Sequence, residues 1–222
     1  RLYELYRSSA GVTTDSRSVR NGEIFFALRG PNHDGNVHAT AAVAAGALAA
    51  VVDDPSLSGE KLVLVGDVLE ALTSLAAFRR HRLTVPVIAI TGTNGKTTTK
   101  ELITAVLSRK AKVHSTAGNL NNHIGVPLTL LSAPDDAGFL VVEMGASHMG
   151  EIEALCETAM PTHGIITNIG TAHIEGFGSY ENIRSAKSEL YRWLARIGGT
   201  VIYNDDNTVL TDLLAPGSRA VP

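Results

Sequence analysis

Residues 87–99 read Val-Ile-Ala-Ile-Thr-Gly-Thr-Asn-Gly-Lys-Thr-Thr-Thr, an apolar run of strand type that passes without a break into a glycine-bracketed loop and then an apolar-periodic helix. Glycines at 92 and 95 let successive backbone N–H groups turn toward one point, and the start of the following helix adds partial positive charge. Such a segment is built for an anion. The Lys-Thr pair narrows that anion to a polyphosphate: Lys96 reaches the terminal phosphates and Thr97 offers its hydroxyl to a magnesium ion bridging them. The strict phosphate-loop spacing asks for a glycine five positions before Gly95, where Ile90 stands, so this is the shorter variant Gly-x-x-Gly-Lys-Thr. An ordinary glycine-rich turn is the bland alternative. The strand before, the helix after and the placement of Lys-Thr favour a nucleotide, held by Gly92, Thr93, Asn94, Gly95, Lys96, Thr97 and Thr98.

A strand that feeds such a loop belongs in a parallel sheet, and the sequence beyond Pro86 alternates accordingly. Apolar strands are expected at 85–91, 112–115, 139–144, 164–168 and 200–204, separated by helices at 96–109, 124–131, 150–157 and 181–197, with a short helical pattern at 208–214. The expectation is an α/β fold, a doubly wound and mostly parallel sheet. Upstream, strands at 23–28, 48–52 and 61–65, a helix-like stretch at 37–46 and a helix from Asp67 to about Arg82 form a smaller α/β unit. Two domains follow, 1–82 and 83–222, which suits a chain of 222 residues against a single-domain mode of roughly 100–150.

Composition removes several function classes. The chain is 44% hydrophobic and 18% charged, with a formal net charge of -3 and no Lys/Arg run. That rules against a nucleic-acid partner. No apolar stretch approaches the roughly 20 residues of a membrane span, and residues 1–5 show no signal-peptide core, so a cytoplasmic location is expected. The single cysteine, Cys156, excludes an intrachain disulfide. It lies among Glu151, Glu153 and Glu157, carboxylates that disfavour a thiolate, and reads as structural rather than nucleophilic. The histidines show no zinc-site spacing, and no Asn-Lys-x-Asp stretch is present to read a guanine base.

Two further groups bear on chemistry. Glu143 stands at the C-terminal end of the 139–144 strand, the edge where open α/β sheets bind ligands, and its hard oxygens suit magnesium; a solvent-facing strand-end carboxylate is the alternative. Asn119, Asn121 and Asn122 follow Thr116 and Gly118 as an amide cluster able to hydrogen-bond a peptide, the alternative being a turn stabilised by asparagine. His173 and Lys187, from spacing alone, read more simply as a structural histidine and a solvated helix lysine.

Four stretches together narrow these alternatives: 92–98, 118–127 (Gly-Asn-Leu-Asn-Asn-His-Ile-Gly-Val-Pro), 143–147 (Glu-Met-Gly-Ala-Ser) and 168–173 (Asn-Ile-Gly-Thr-Ala-His). In this order they resemble the Mur ligase and folylpolyglutamate synthetase superfamily, and within it the MurF branch of the Mur ligases. Thr14-Asp15-Ser16-Arg17, 25–30 and Asp34-Gly35 resemble the uridine-binding domain that MurE and MurF share. The resemblance implies an ATP-dependent, magnesium-requiring ligase that joins D-Ala-D-Ala to UDP-MurNAc-tripeptide through an acyl phosphate, acting as a monomer. It also implies roles. Glu143 and His173 become magnesium ligands beside Thr97, and Lys187, carbamylated in this superfamily, an anionic one. Lys96, Glu143, His173 and Lys187 carry the catalysis. Ser16, Arg17, Asp34 and Gly35 would face the uridine diphosphate, a structural loop being the alternative there, while Thr116, Asn119, Asn121, Asn122 and Asn168 face the muramoyl-peptide or support the site. MurF-type ligases have a third, C-terminal domain to which nothing here corresponds, so the chain is expected to be partial and to bind without completing the reaction. A nucleotide or UDP-sugar binding module, or another branch of the superfamily, is the competing reading.

Overall fold

The structure is a computed structural model that describes residues 1–171 and 174–222; the side chain of Ile174 is also outside the description. Two compact units emerge, residues 1–79 with 130–132 and residues 80–129 with 133–222.

The first unit begins with α1 (Leu2–Arg7) and continues through β1 (Gly11–Thr13), β2 (Glu23–Phe26), the short β3 (Arg29–Gly30) and β4 (His33–Asp34), α2 (Ala39–Ala44), β5 (Ala49–Val52), β6 (Leu62–Leu64) and α3 (Val68–Arg82), whose last three residues, from Arg80, belong to the second unit. Its main sheet has the order β1-β2-β5-β6, parallel throughout, and β3 pairs with β4 as an antiparallel ribbon. Phe25, Ala27, Ala39, Ala42, Ala47, Ala50 and Val52 form its core. The helix expected at 37–46 starts instead as a 3-10 turn over 35–38, because the Asp34 carboxylate accepts from the backbone N–H of Asn36 and caps the segment. Gly35 has no room for a side chain: a Cβ would sit 2.6 Å from both Ala27 C and Leu28 O, which are backbone atoms. Gly35→Ala should therefore cost about 1–3 kcal/mol, read as a lower melting temperature; an unchanged melt would show that the loop yields freely.

The second unit contains β7 (Val87–Thr91), α4 (Lys96–Leu107), β8 (Val113–Ser115), α5 (Gly125–Leu131), β9 (Phe139–Glu143), α6 (Glu151–Ala159), β10 (His163–Ile166), α7 (Ile174–Phe177), α8 (Tyr180–Ile197), β11 (Thr200–Ile202), α9 (Thr208–Thr211) and β12 (Arg219–Val221). The sheet order is β12-β11-β10-β7-β9-β8, and every pairing is parallel. All five residues of β7 are buried, as expected of a central strand covered on both faces, whose sequence then reads as an unbroken apolar run rather than an alternation. The first strand in sequence thus lies between β9 and β10, at the point where the strand order reverses and ligands of doubly wound sheets are held. The elements unforeseen from sequence, α1, β1, the β3-β4 ribbon, α7 and β12, are all of six residues or fewer.

Helix α6 is held electrostatically at both ends. Gly150 in its cap position has φ 83° and brings no side chain, so Glu189 of α8, itself buried, supplies the acceptors: Oε1 takes the Gly150 N–H at 2.7 Å and Oε2 the Glu153 N–H at 2.9 Å. At the other end Arg80 donates to Ala159 O at 2.8 Å and Met160 O at 3.1 Å. An anion at the helix start and a cation at its end match the macrodipole. Cys156 on this helix is fully buried, 4.0 Å from Met144 Sδ. Burial, then the charges of Glu189 and Glu153, push its thiol far above the ordinary range. We expect no alkylation of the native chain by iodoacetamide and full alkylation after unfolding; native labelling would contradict the packing.

Candidate nucleotide and substrate site

The loops after β7, β8, β9 and β10 leave the C-terminal edge of the second sheet side by side. The β7–α4 loop turns on two glycines with positive φ, Gly92 at 139° and Gly95 at 78°. Gly92 lies under the start of the β10–α7 loop, where an added Cβ would meet Thr167 Oγ1 at 2.0 Å and the backbone nitrogens of Thr167 and Asn168 at 3.1 and 3.2 Å. That neighbouring loop braces the phosphate loop from one side. Thr93 N–H donates to Asn168 O at 3.0 Å, Asn94 N–H to Asn168 Oδ1 at 3.0 Å, Thr167 Oγ1 to Asn94 O at 2.6 Å and Gly170 N–H to Thr93 Oγ1 at 2.8 Å. Asn168, expected to support the site or touch substrate, is here a brace.

Lys96 Nζ donates to Gly92 O at 2.8 Å and Thr93 O at 3.0 Å, lying across its own loop. Burial lowers its pKa while the charge of Glu143 opposes that shift. Thr97, at the start of α4, donates its hydroxyl to Glu143 Oε2 at 2.9 Å, and Asn121 Nδ2 donates to Glu143 Oε1 at 2.9 Å. Glu143 is 2% exposed and has no ion pair within 4.0 Å among the described residues. A buried carboxylate met only by neutral donors is an electrostatic deficit that a cation would fill. The donors at hand, a carboxylate and a threonine hydroxyl, are hard oxygens and fit magnesium, which keeps several waters and phosphate oxygens of its own. No group of three or more His, Cys, Asp or Glu side chains placed to hold a metal ion occurs among the described residues, and a magnesium ion bound with phosphates needs none.

The amide cluster divides. Asn121 faces Glu143, and its carbonyl accepts from Gly145 N–H at 2.7 Å. Asn122 Oδ1 instead accepts from Ile124 N–H at 3.1 Å and Gly125 N–H at 2.9 Å, which is the bonding of a helix cap at α5. Asn119 and Thr98 are exposed, and Thr116 is buried with its Oγ1 accepting from Glu143 N–H at 3.0 Å. Lys187 on α8 is 3% exposed, with Nζ 5.7 Å from the centre of the Phe177 ring. It is no solvated helix lysine. Burial first, and the charge of Lys96 second, bring its pKa down to about 8. His173 lies outside the described residues.

In the first unit the side chain of Arg17 is 87% exposed and its Nε and Nη2 each lie 2.9 Å from the Asp15 carboxylate, whose pKa is lowered to about 2 chiefly by that contact. Ser16 sits between them. Asp34 Oδ1 accepts from Asn36 N and Nδ2, while Arg29 Nε lies 2.9 Å from Asp53 Oδ1. Asp34 and Gly35 thus have structural work in their own loop, the alternative that the sequence left open for them. Lys100, Thr167 and Glu189, which organise the second unit, also went unread in the sequence. The signal for Lys100 and Glu189 was a charged residue on the apolar side of a helix.

The fold and this site define a class: a doubly wound α/β protein with a phosphate loop, arranged to hold a nucleotide polyphosphate. Comparison with known proteins narrows it. Residues 90–221 match the Mur ligase middle domain and residues 9–117 match the Mur ligase family, catalytic domain. The chain belongs to the Mur ligase family. A Synechocystis protein named UDP-N-acetylmuramoyl-tripeptide--D-alanyl-D-alanine ligase is 47% identical over 204 residues, 90% of this chain and 45% of that protein. A Bacillus subtilis protein of the same name is 43% identical, covering 90% of this chain and 44% of that protein. Among solved structures, MurF from Acinetobacter baumannii superposes with a TM-score of 0.85 at 36% identity over 95% of this chain and 49% of that one. MurF from Thermotoga maritima in complex with ADP gives 0.85 at 31% identity over 94% and 48%. The chain spans about half the length of the curated relatives it matches.

Proposed function

We propose that the chain carries the nucleotide-binding and UDP-sugar-binding parts of a cytoplasmic ligase that joins D-Ala-D-Ala to UDP-MurNAc-tripeptide. The observation that carries the reading is the pairing of Thr97 and Asn121 on the two oxygens of buried Glu143, beside Lys96. In this reaction the γ-phosphoryl of ATP passes to the tripeptide carboxylate, ADP leaves, and the dipeptide amine then displaces phosphate from the acyl phosphate. Negative charge accumulates at each step. Catalysis of such transfers rests on positioning and on fixed positive charge rather than on a protein nucleophile.

Each residue then has work to do. Lys96 leaves Gly92 O and Thr93 O for the phosphates of the nucleotide. Thr97 and Glu143 hold magnesium, which when bound neutralises phosphate charge. His173, by the family resemblance, belongs to a second ligand set with Lys187. Lys187 can join that set only as a carbamate, which forms from the neutral amine; burial beside Lys96 favours that neutral form. Asn121 holds the inner oxygen of Glu143, while Asn119 is the freer amide for substrate. Arg17, exposed and pre-oriented by Asp15, suits a diphosphate. No described helix is long and apolar enough to cross a membrane, and the protein acts as a monomer in this reading.

Calorimetry with the 222-residue chain tests both halves. Mg-ADP should bind more tightly than ADP alone, and UDP-MurNAc-tripeptide more tightly than the corresponding dipeptide. A preference for the dipeptide would place the chain in another branch of the family, and no binding of either UDP-sugar at high micromolar protein would overturn the assignment of the first unit.

A further inference from the structure

Lys100 is a buried charge to which the function above gives no role. It lies one turn beyond Lys96 on α4 and is 1% exposed. Its Nζ donates to Thr116 O at 2.7 Å and sits 2.9 Å from Oε1 of Glu101, whose side chain is 64% exposed. Removing an ammonium from water is expensive, and one carbonyl with a mostly solvated carboxylate offsets that only in part. For stability alone an apolar side chain would serve this position better.

Its placement accounts for the cost. Thr97 and Lys100 are three residues apart on α4, so they lie on the same face. Thr97 bonds the Glu143 carboxylate and Lys100 bonds the Thr116 carbonyl, while Thr116 Oγ1 accepts from the Glu143 N–H. Together with one turn of α4 these three bonds close a ring. The ring grips Glu143 at its carboxylate and at its backbone. Thr116, 1% exposed, is also the first residue of the loop that carries Asn121 to the other oxygen of Glu143.

We infer that Lys100 is a positioning residue for the magnesium–nucleotide site, holding Thr116 against α4 so that the Glu143 oxygens stay in register with Thr97 and Asn121. The inference rests on the reading of Glu143 as a magnesium ligand. Partners behind a metal ligand typically change metal affinity by about 10–100-fold when removed.

The experiment measures ADP affinity by calorimetry with and without magnesium, first on the unsubstituted chain and then on Lys100→Met, which keeps an unbranched apolar stem. The magnesium-dependent gain should fall about tenfold while magnesium-free ADP affinity stays within about twofold, because the phosphate loop itself is intact. Thr116→Val opens the same ring from the other side and should give the same loss. The double variant should be no worse than either single one, since the ring is broken only once. An undiminished magnesium gain in Lys100→Met, an equal loss of magnesium-free binding, or losses that multiply in the double variant would overturn the inference. If Lys100→Met does not fold, Thr116→Val decides alone, and a full magnesium gain there overturns it. No magnesium gain in the unsubstituted chain would instead remove the reading of Glu143, and the inference with it.

Discussion

Glu143→Gln should leave the chain as stable as before, or more so, while erasing the magnesium-dependent part of its ADP affinity. The two effects have opposite signs for one reason. Glu143 is 2% exposed and its carboxylate meets a threonine hydroxyl and an asparagine amide, each at 2.9 Å. Glutamine has the same shape. Its amide oxygen can keep the bond from Asn121, and its NH2 can donate to the Thr97 hydroxyl, which accepts as readily as it donates. Every hydrogen bond survives and a buried charge disappears, a change that is neutral or stabilising when partners remain satisfied. Magnesium, however, loses its anionic ligand. Melting temperature and calorimetry with and without magnesium should therefore separate. A fall in stability with the magnesium effect intact would mean that Glu143 serves the fold and not the metal. Alanine in its place is less informative, because it leaves Thr97 and Asn121 without an acceptor and adds a cavity.

That carboxylate also marks the limit of what spacing discloses. The phosphate loop is legible from letters because a strand, two glycines and Lys-Thr form a local unit, and local units survive in any context. The parallel sheet is legible for a similar reason: strands buried on both faces write themselves as apolar runs, and β7 is buried along its whole length. Glu143 could be placed at a strand end in the same way. Its partners could not, since Asn121 and Thr97 lie 22 and 46 residues away in sequence and meet it only through strand order. The same holds for Glu189, which caps α6 across 39 residues because the helix begins with a glycine. Asn122 shows the converse. Its amide looks like a substrate contact in the motif and is bonded to the backbone of the next helix. Short elements such as β1 and β12, three residues each, carry too few side chains to announce a period and exist because a neighbouring strand offers its edge.

The second large effect belongs to Gly92→Ala, which should lower ADP affinity by about 10–100-fold, with magnesium or without, since each backbone N–H bond to a charged phosphate contributes about 1.5–3 kcal/mol. Two independent obstacles meet at this residue. Its φ of 139° lies in a region that L side chains avoid, and its missing Cβ is the space through which the β10–α7 loop passes, 3.1 and 3.2 Å from the nitrogens of Thr167 and Asn168. The Thr167 hydroxyl, 2.0 Å from the same point, can rotate away, but the backbone nitrogens cannot. Relief must come from separating the two loops. Separation breaks the bonds from Thr167 Oγ1 to Asn94 O and from Asn94 N–H to Asn168 Oδ1, which hold the phosphate loop in shape. Pairing Gly92→Ala with Thr167→Ala tests that order of causes. If the hydroxyl alone were the obstacle, the double variant would recover ADP binding; because backbone is the obstacle, it should recover little. Recovery to within a few-fold of the unsubstituted chain would show that the loop can shift without losing its nucleotide, and that the brace between the two loops is incidental to binding.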